Sequence, residues 1–134
     1  MVGVLVVTHG NLAVELVRAA RRIVGERKEL RALAIDWDDD VGAAGEAVGK
    51  AIEEMNQGQG VLILTDMFGG TPTNISLSFL QEGKVEIITG VNLPMLIKFC
   101  NLQERDDLGA VARGIREQGR KSVYIASDVF KPQT

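Results

Sequence analysis

The sequence predicts an α/β fold: one open, doubly wound, mostly parallel sheet with helices on both faces. Short apolar runs rich in valine, isoleucine and leucine alternate with longer segments whose apolar residues recur at helical spacing. The first four apolar runs each end at a turn that contains glycine or polar residues. This alternation along the whole chain is typical of right-handed βαβ crossovers around a parallel sheet.

Five strands and five helices are predicted. β-Branched and leucine residues cluster in the predicted strands, at residues 3–8, 30–37, 60–65 and 84–89, with a short last strand at 122–127. Apolar residues recur every three or four positions in the predicted helices, at residues 11–24, 43–56, 73–81, 93–101 and 108–118. No linker or repeat divides the chain, so residues 1–134 are predicted to form one domain.

Asparagine, threonine, glycine and proline mark the ends of several helices. Asn11 is the predicted N-cap of the first helix, and Gly25 is its stop signal. Thr71 is the predicted N-cap of the third helix, with Pro72 in its first position. Asn92 is predicted to cap the fourth helix.

Composition argues against several classes of function. The net charge of −3 provides no basic excess for a nucleic-acid backbone or an anionic membrane. The single cysteine, Cys100, cannot form an internal disulfide, which fits the reducing cytoplasm. The apolar run at residues 1–7 is too short to cross a bilayer and lacks the basic region of a signal peptide. We therefore expect a cytoplasmic protein without direct membrane insertion.

The turn after the first strand contains the only histidine, His9. Ligands of open α/β sheets bind beyond the carboxyl ends of the strands, so His9 occupies a functional position. The N–H groups at the start of the next helix carry a partial positive charge that suits an anion. A lone histidine is more often a packing or surface residue, and that interpretation stays open at this point.

The turn after the third strand, residues 66–72, begins with Asp66 and continues through Gly69 and Gly70. The two glycines let the backbone approach a ligand, and the following helix start makes a phosphate-sized anion site. The same residues also fit an ordinary helix start, with Asp66 as a cap or surface carboxylate.

The two turns become more informative together. If the strand order is 2-1-3-4, His9 and Asp66 end adjacent strands and can meet. A carboxylate bonded to one ring nitrogen fixes the tautomer and leaves the other nitrogen as the nucleophile. The N–H groups of residues 69–71 would then hold the phosphoryl oxygens. The sequence therefore predicts a phosphohistidine site, with Gly10, Phe68, Gly69, Gly70 and Thr71 as phosphoryl-binding residues.

Signatures of several other chemistries are missing from the sequence. One histidine and one cysteine cannot supply a zinc site, and neither a P-loop nor a dinucleotide-binding Gly-x-Gly-x-x-Gly turn is present. We therefore expect neither a metal nor a cofactor.

Three segments of the chain resemble a known family, the IIA domains of the mannose class of the bacterial sugar phosphotransferase system. They are Thr8-His9-Gly10, residues 64–74 (LTDMFGGTPTN) and residues 88–96 (ITGVNLPML). The resemblance implies a phosphotransferase in which His9 takes a phosphoryl group from phospho-HPr and passes it to a IIB component. It further implies that Asp66 bonds the ring nitrogen that is not phosphorylated.

The resemblance also bears on neighbouring residues and on assembly. Thr71 falls where the family often has serine, and Phe68 falls where an aromatic residue is common and lines a docking surface, although loop packing is an equal alternative. The family implies a homodimer in which a C-terminal strand, here residues 122–127, adds to the partner's sheet. The IIB component is expected on another polypeptide, with a role in sugar uptake or regulation.

Other functions remain as alternatives. A receiver-like domain would be phosphorylated on Asp66, but it needs acidic residues after the first strand to hold Mg²⁺, where this chain has Thr8 and His9. The phosphotransfer subunit of a dihydroxyacetone kinase would share the His9 chemistry. In a non-enzymatic binding domain, His9 and Asp66 would only hydrogen-bond to each other.

Overall fold

The computed structural model describes residues 1–102 and 106–131, and these form a four-stranded parallel sheet. The strands are β1 (Gly3–His9), β2 (Leu30–Ile35), β3 (Val61–Thr65) and β4 (Val85–Thr89). They lie in the order β2-β1-β3-β4, and every neighbouring pair is parallel. The predicted order 2-1-3-4 is confirmed.

Helices cover both faces of this sheet, as predicted. They are α1 (Leu12–Val24), α2 (Val41–Met55), α3 (Thr71–Leu77), α4 (Leu93–Cys100), α5 (Leu108–Lys121) and α6 (Ala126–Val129). Alternate residues of a strand point to opposite faces. Val4 and Val6 of β1 therefore pack with α1, α4 and α5, whereas Leu5 and Val7 pack with α2 and α3.

The central strand β1 is paired on both sides and covered on both faces. All of its residues are buried except the last, His9, which is partly exposed at the carboxyl edge of the sheet. Burial on both faces explains why valine and leucine follow one another along this strand without alternating polar residues. A rigid, doubly paired strand thus ends in the one histidine.

Asn11 is the N-cap residue of α1, as predicted, but the side chain that caps the helix comes from the end of β1. The hydroxyl of Thr8 accepts the N–H of Ala13 at 2.7 Å, whereas Asn11 makes no side-chain cap hydrogen bond and its amide lies 3.5 Å from Glu15. Thr8 takes over this role because the chain turns tightly enough after β1 to bring a buried hydroxyl under the first helical turn.

The predicted Thr71 cap of α3 is wrong, because Gly70 occupies the N-cap position and Thr71 is already the first helical residue. A glycine with φ +82° and ψ 166° fits that bend without steric cost. The predicted stop at Gly25 and the Asn92 cap, which accepts the N–H of Met95 at 3.2 Å, are both confirmed.

The predicted lengths of two helices also differ from the structure. Helix α3 ends at Leu77 rather than at residue 81, because the following N–H groups bond to carbonyls three residues back instead of four. Helix α5 continues past residue 118 to Lys121.

The predicted strand at residues 122–127 is wrong for the single chain. Residues 126–129 form the short helix α6, and the side chains of Val123, Tyr124 and Ile125 are exposed. A strand needs a neighbouring strand to bond with, and this segment pairs with none of the described residues. Local bonds such as Phe130 N–H to the Ala126 carbonyl, at 2.8 Å, form instead.

Across the described ranges 1–102 and 106–131, none of the helices combines the length and the apolar character needed to cross a bilayer.

Candidate functional site

His9 and Asp66 meet at the carboxyl edge of the sheet. His9 is the last residue of β1 and Asp66 follows β3 directly, while Val7 and Thr65 are paired across the two strands. Nδ1 of His9 lies 2.8 Å from Oδ2 of Asp66, and the backbone N–H of His9 donates to the same oxygen at 3.1 Å. The strand order thus produces the juxtaposition that the two turns suggested.

This contact determines the tautomer of His9. Burial acts to raise the pKa of Asp66, but the hydrogen bonds from the His9 side chain and backbone, together with the charge of His9, outweigh it. The pKa of Asp66 therefore lies below its ordinary value, and the carboxylate is an acceptor at neutral pH. Nδ1 must then carry the proton, which leaves the lone pair of Nε2 free.

Gly70 lies against the free edge of the His9 ring. A Cβ atom at position 70 would be 2.9 Å from Cε1 and 3.0 Å from Nε2 of His9. Only glycine fits this approach, and its φ of +82° also disfavours any other residue. The backbone of the turn between β3 and α3 is therefore placed beside the nitrogen that keeps its lone pair.

Hydrogen bonds within the turn hold it in place. Thr73 Oγ1 is hydrogen-bonded to Thr65 Oγ1 at 2.8 Å and donates to the Met67 carbonyl at 2.5 Å. The Met67 N–H donates to Oδ1 of Asp66 at 3.1 Å. Both oxygens of Asp66 are thus engaged. Sequence reasoning placed Thr73 only at the start of a helix and missed this contribution.

Trp37, the only tryptophan, is a second residue that sequence reasoning missed. Its ring stacks on the His9 imidazole with centroids 4.7 Å apart and an interplanar angle of 22°. The sequence places Trp37 at the end of the second strand, but that strand stops at Ile35, so the indole projects from the following loop. The only feature of the sequence that could have identified Trp37 as a site residue is its position as a lone aromatic residue just beyond a strand end.

The predicted phosphoryl-binding residues surround the same edge. The Gly10 N–H donates to the Ile35 carbonyl at 2.8 Å, so this N–H is already bonded and is not a free donor for a ligand. Gly69 has a φ of +89° and lies next to Gly70 in the turn. Phe68 is 78% exposed, and Thr71 is exposed at the first position of α3. Their roles toward a ligand stay predictions.

Acidic side chains lie near the site but do not gather as metal ligands. Asp36 to Asp40 follow β2, where Asp40 caps α2 by accepting the Ala43 N–H at 3.0 Å. Within the part of the chain that the structure describes, no cluster of three or more histidine, cysteine, aspartate or glutamate side chains could hold a metal ion.

Replacing Gly70 with alanine should displace the His9 ring. The added Cβ would meet Cε1 and Nε2 at about 3 Å, and alanine at this φ is strained. We expect the free energy of unfolding to fall by about 1–3 kcal/mol. We also expect the ring resonances of His9, which are unambiguous for a single histidine, to shift in an NMR spectrum.

Gly69→Ala is the matched control for this variant. Gly69 has a similar φ, but a Cβ there would meet nothing within 4 Å. It should lose comparable stability without moving the His9 resonances. Equal resonance shifts in the two variants would contradict the close approach of Gly70.

Comparison with known proteins gives one consistent result. Residues 3–116 match the family model described as the PTS system fructose IIA component. The chain is similar to the PTS system fructose-specific EIIA component of Bacillus subtilis (strain 168), with 28% identity over 129 residues that cover 96% of this chain and 88% of that protein.

A second relative and a solved structure point the same way. The chain is 32% identical over 114 residues to the PTS system mannose-specific EIIAB component of Escherichia coli (strain K12), which covers 79% of this chain and 32% of that protein. It superposes with a TM-score of 0.84 on the PTS IIA protein associated with the fucose utilization operon from Streptococcus pneumoniae, at 27% identity, with 95% of this chain and 94% of that chain covered.

Proposed function

Because the chain belongs to the family of PTS system fructose IIA components, we propose that it is a phosphocarrier that holds a phosphoryl group on Nε2 of His9. PTS IIA proteins are phosphotransfer components that pass phosphoryl groups from HPr to IIB components. The proposed donor is therefore phospho-HPr, and the proposed acceptor is a IIB component that serves sugar uptake or regulation. Exchange with these partners would take place in the cytoplasm.

The contact between His9 and Asp66 carries this proposal. The lone pair of Nε2 attacks the phosphorus of the donor, and the bond between phosphorus and the donor breaks with its electron pair leaving on the donor. Nδ1 keeps its proton, so the ring becomes positively charged as the new N–P bond forms. The Asp66 carboxylate, 2.8 Å from Nδ1, compensates this charge. Transfer to the acceptor reverses these steps and returns the electron pair to Nε2.

The turn beside Nε2 is the proposed cradle for the phosphoryl oxygens. Gly70 lies against this edge of the ring, and the first N–H groups of a helix have no partner within the helix. The N–H groups of residues 69–71 would donate to the oxygens, and the exposed hydroxyl of Thr71 would add a further donor. Pro72 has no N–H and contributes only to the shape of the turn.

Exposed apolar side chains around His9 form the proposed docking surface for HPr and the IIB component. Phe68 and Trp37 are both 78% exposed, and Met67 and Leu12 are also exposed. Large exposed apolar residues beside a reactive group are typical of protein interfaces. A carrier that exchanges its cargo with two proteins needs a surface of this kind around the reacting nitrogen.

The receiver-like alternative fits the site less well. Three N–H groups point at the Asp66 carboxylate: those of the His9 ring, the His9 backbone and the Met67 backbone. Hydrogen bonds of this kind stabilise a carboxylate and weaken it as a nucleophile. This network favours His9 over Asp66 as the residue that takes the phosphoryl group.

Labelling with radioactive phospho-HPr tests the proposal. We expect a label that survives base and is lost in acid, as a phosphohistidine is. A base-labile label would indicate an acyl phosphate on Asp66. Failure to take up any label would favour the non-enzymatic binding domain.

We also propose a homodimer in which residues 122–127 of each protomer add to β4 of the other. Strand β4 is an edge of the sheet, and a groove of about 440 Å³ beside it is lined by Ile87, Ile88 and Arg116, among other residues. The exposed Val123, Tyr124 and Ile125 would be covered by this exchange.

Light scattering at micromolar concentration should give twice the monomer mass, and Tyr124→Asp should shift the mass toward the monomer. A monomer mass for the wild type would refute the assembly.

A further inference from the structure

We infer that Trp37 is a positioning residue for His9, stacking on the imidazole so that Nε2 stays aimed at the incoming phosphorus. The inference rests on the proposed function of His9 as the phosphoryl carrier. It assigns a role to a side chain that no motif in the sequence singled out.

The stack provides a restraint that the other contacts lack. Asp66 holds one edge of the ring through Nδ1, and the Gly70 backbone lies against the opposite edge. A single hydrogen bond to Nδ1 leaves the ring free to tilt out of its plane. The indole lies at 4.7 Å between centroids and 22° from parallel, so it closes one face of the ring to that motion.

The loop that carries Trp37 is itself held in place. The Asp36 N–H donates to Asp39 Oδ2 at 2.9 Å, and the Asp39 N–H donates to the Asp36 carbonyl at 3.1 Å. One residue earlier, the Ile35 carbonyl accepts the Gly10 N–H at 2.8 Å, which ties this loop to the turn that follows His9. The indole therefore approaches His9 on an ordered backbone.

The exposure of Trp37 supports a role beyond packing. The indole is 78% exposed, whereas the His9 side chain that it covers is only 18% exposed. A large aromatic residue held in water gains little from burial in its own chain. Its contact with the reactive ring accounts for its position.

The stack also acts on charge. The imidazole gains positive charge as the N–P bond forms, and the electron-rich face of an indole attracts a cation. The attraction is stronger in the transition state, where the ring gains charge, than before the reaction begins. It therefore lowers the barrier to phosphoryl transfer and does not merely strengthen the binding of HPr. Trp37 and Asp66 would thus stabilise the same charge from the face and from the edge of the ring.

Two substitutions separate stacking from docking. Trp37→Phe keeps an aromatic face, whereas Trp37→Leu keeps only apolar surface. We expect Trp37→Leu to lower the transfer rate at saturating phospho-HPr by about three- to thirtyfold and Trp37→Phe to retain most of that rate. In the NMR spectrum, the His9 ring protons should lose their ring-current shift in Trp37→Leu and keep part of it in Trp37→Phe.

Phe68→Leu provides a matched comparison, because Phe68 is as exposed as Trp37. It should act mainly on the KM for phospho-HPr. The inference is overturned if Trp37→Leu changes only this KM or if Trp37→Phe is as slow as Trp37→Leu. A wild type that takes no label on His9 would instead overturn the proposed function, whereas a labelled wild type with a full-rate Trp37→Leu variant overturns only the role of Trp37.

Discussion

The His9→Ala variant is expected to fold like the wild type and to take up no phosphoryl group from phospho-HPr. His9 is the only histidine, and no other side chain described at this edge of the sheet offers a nitrogen with a free lone pair. Its removal leaves Asp66 with the backbone N–H groups of residues 9 and 67, so the turn keeps its hydrogen bonds. The loss of label should therefore be complete, while the fold persists.

Label uptake and circular dichroism of His9→Ala should be measured on the same sample. An unchanged spectrum without label is the expected result. Labelling equal to that of the wild type would remove His9 from the site.

The Asp66→Asn variant is expected to transfer phosphoryl groups about 10²- to 10⁴-fold more slowly than the wild type. Asparagine keeps the size of the side chain but removes the charge that compensates the ring. Its amide can also turn a donor toward Nδ1 and favour the wrong tautomer of His9. The remaining amide oxygen can still accept the His9 backbone N–H, so the melting temperature should change little.

Asp40→Asn is a suitable control for Asp66→Asn. Asp40 caps α2 through the Ala43 N–H, outside the hydrogen bonds of the His9 ring, so its transfer rate should stay near that of the wild type. If Asp66 is only structural, Asp66→Asn should instead lower the melting temperature and leave the rate unchanged. Rates and melting curves of both variants separate the two interpretations.

The sheet and the contact between His9 and Asp66 could be predicted because both depend on strong local patterns. Continuous apolar runs identify strands that are buried on both faces, and the carboxyl ends of adjacent parallel strands must lie at the same edge. Once β1 and β3 are neighbours, the residues at their carboxyl ends must lie close together. Val7 paired with Thr65 fixes their register.

The missed features depend on contacts between segments that are distant in the sequence, or on strand pairing. Trp37 reaches His9 because β2 ends two residues before it, and strand ends are poorly determined by local pattern. Thr8 caps α1 through a bond across a tight turn that no short motif encodes. Residues 122–127 have an apolar strand pattern, but a strand forms only where a partner strand is available.

The pairing of the only histidine with the only tryptophan has a practical consequence. All indole emission of this chain comes from one ring, and that ring lies 4.7 Å from the imidazole. Intrinsic fluorescence should therefore follow the arrival and departure of a phosphoryl group on His9 in real time. A stopped-flow instrument could then time each exchange on the unmodified protein, without a radioactive label or an attached dye.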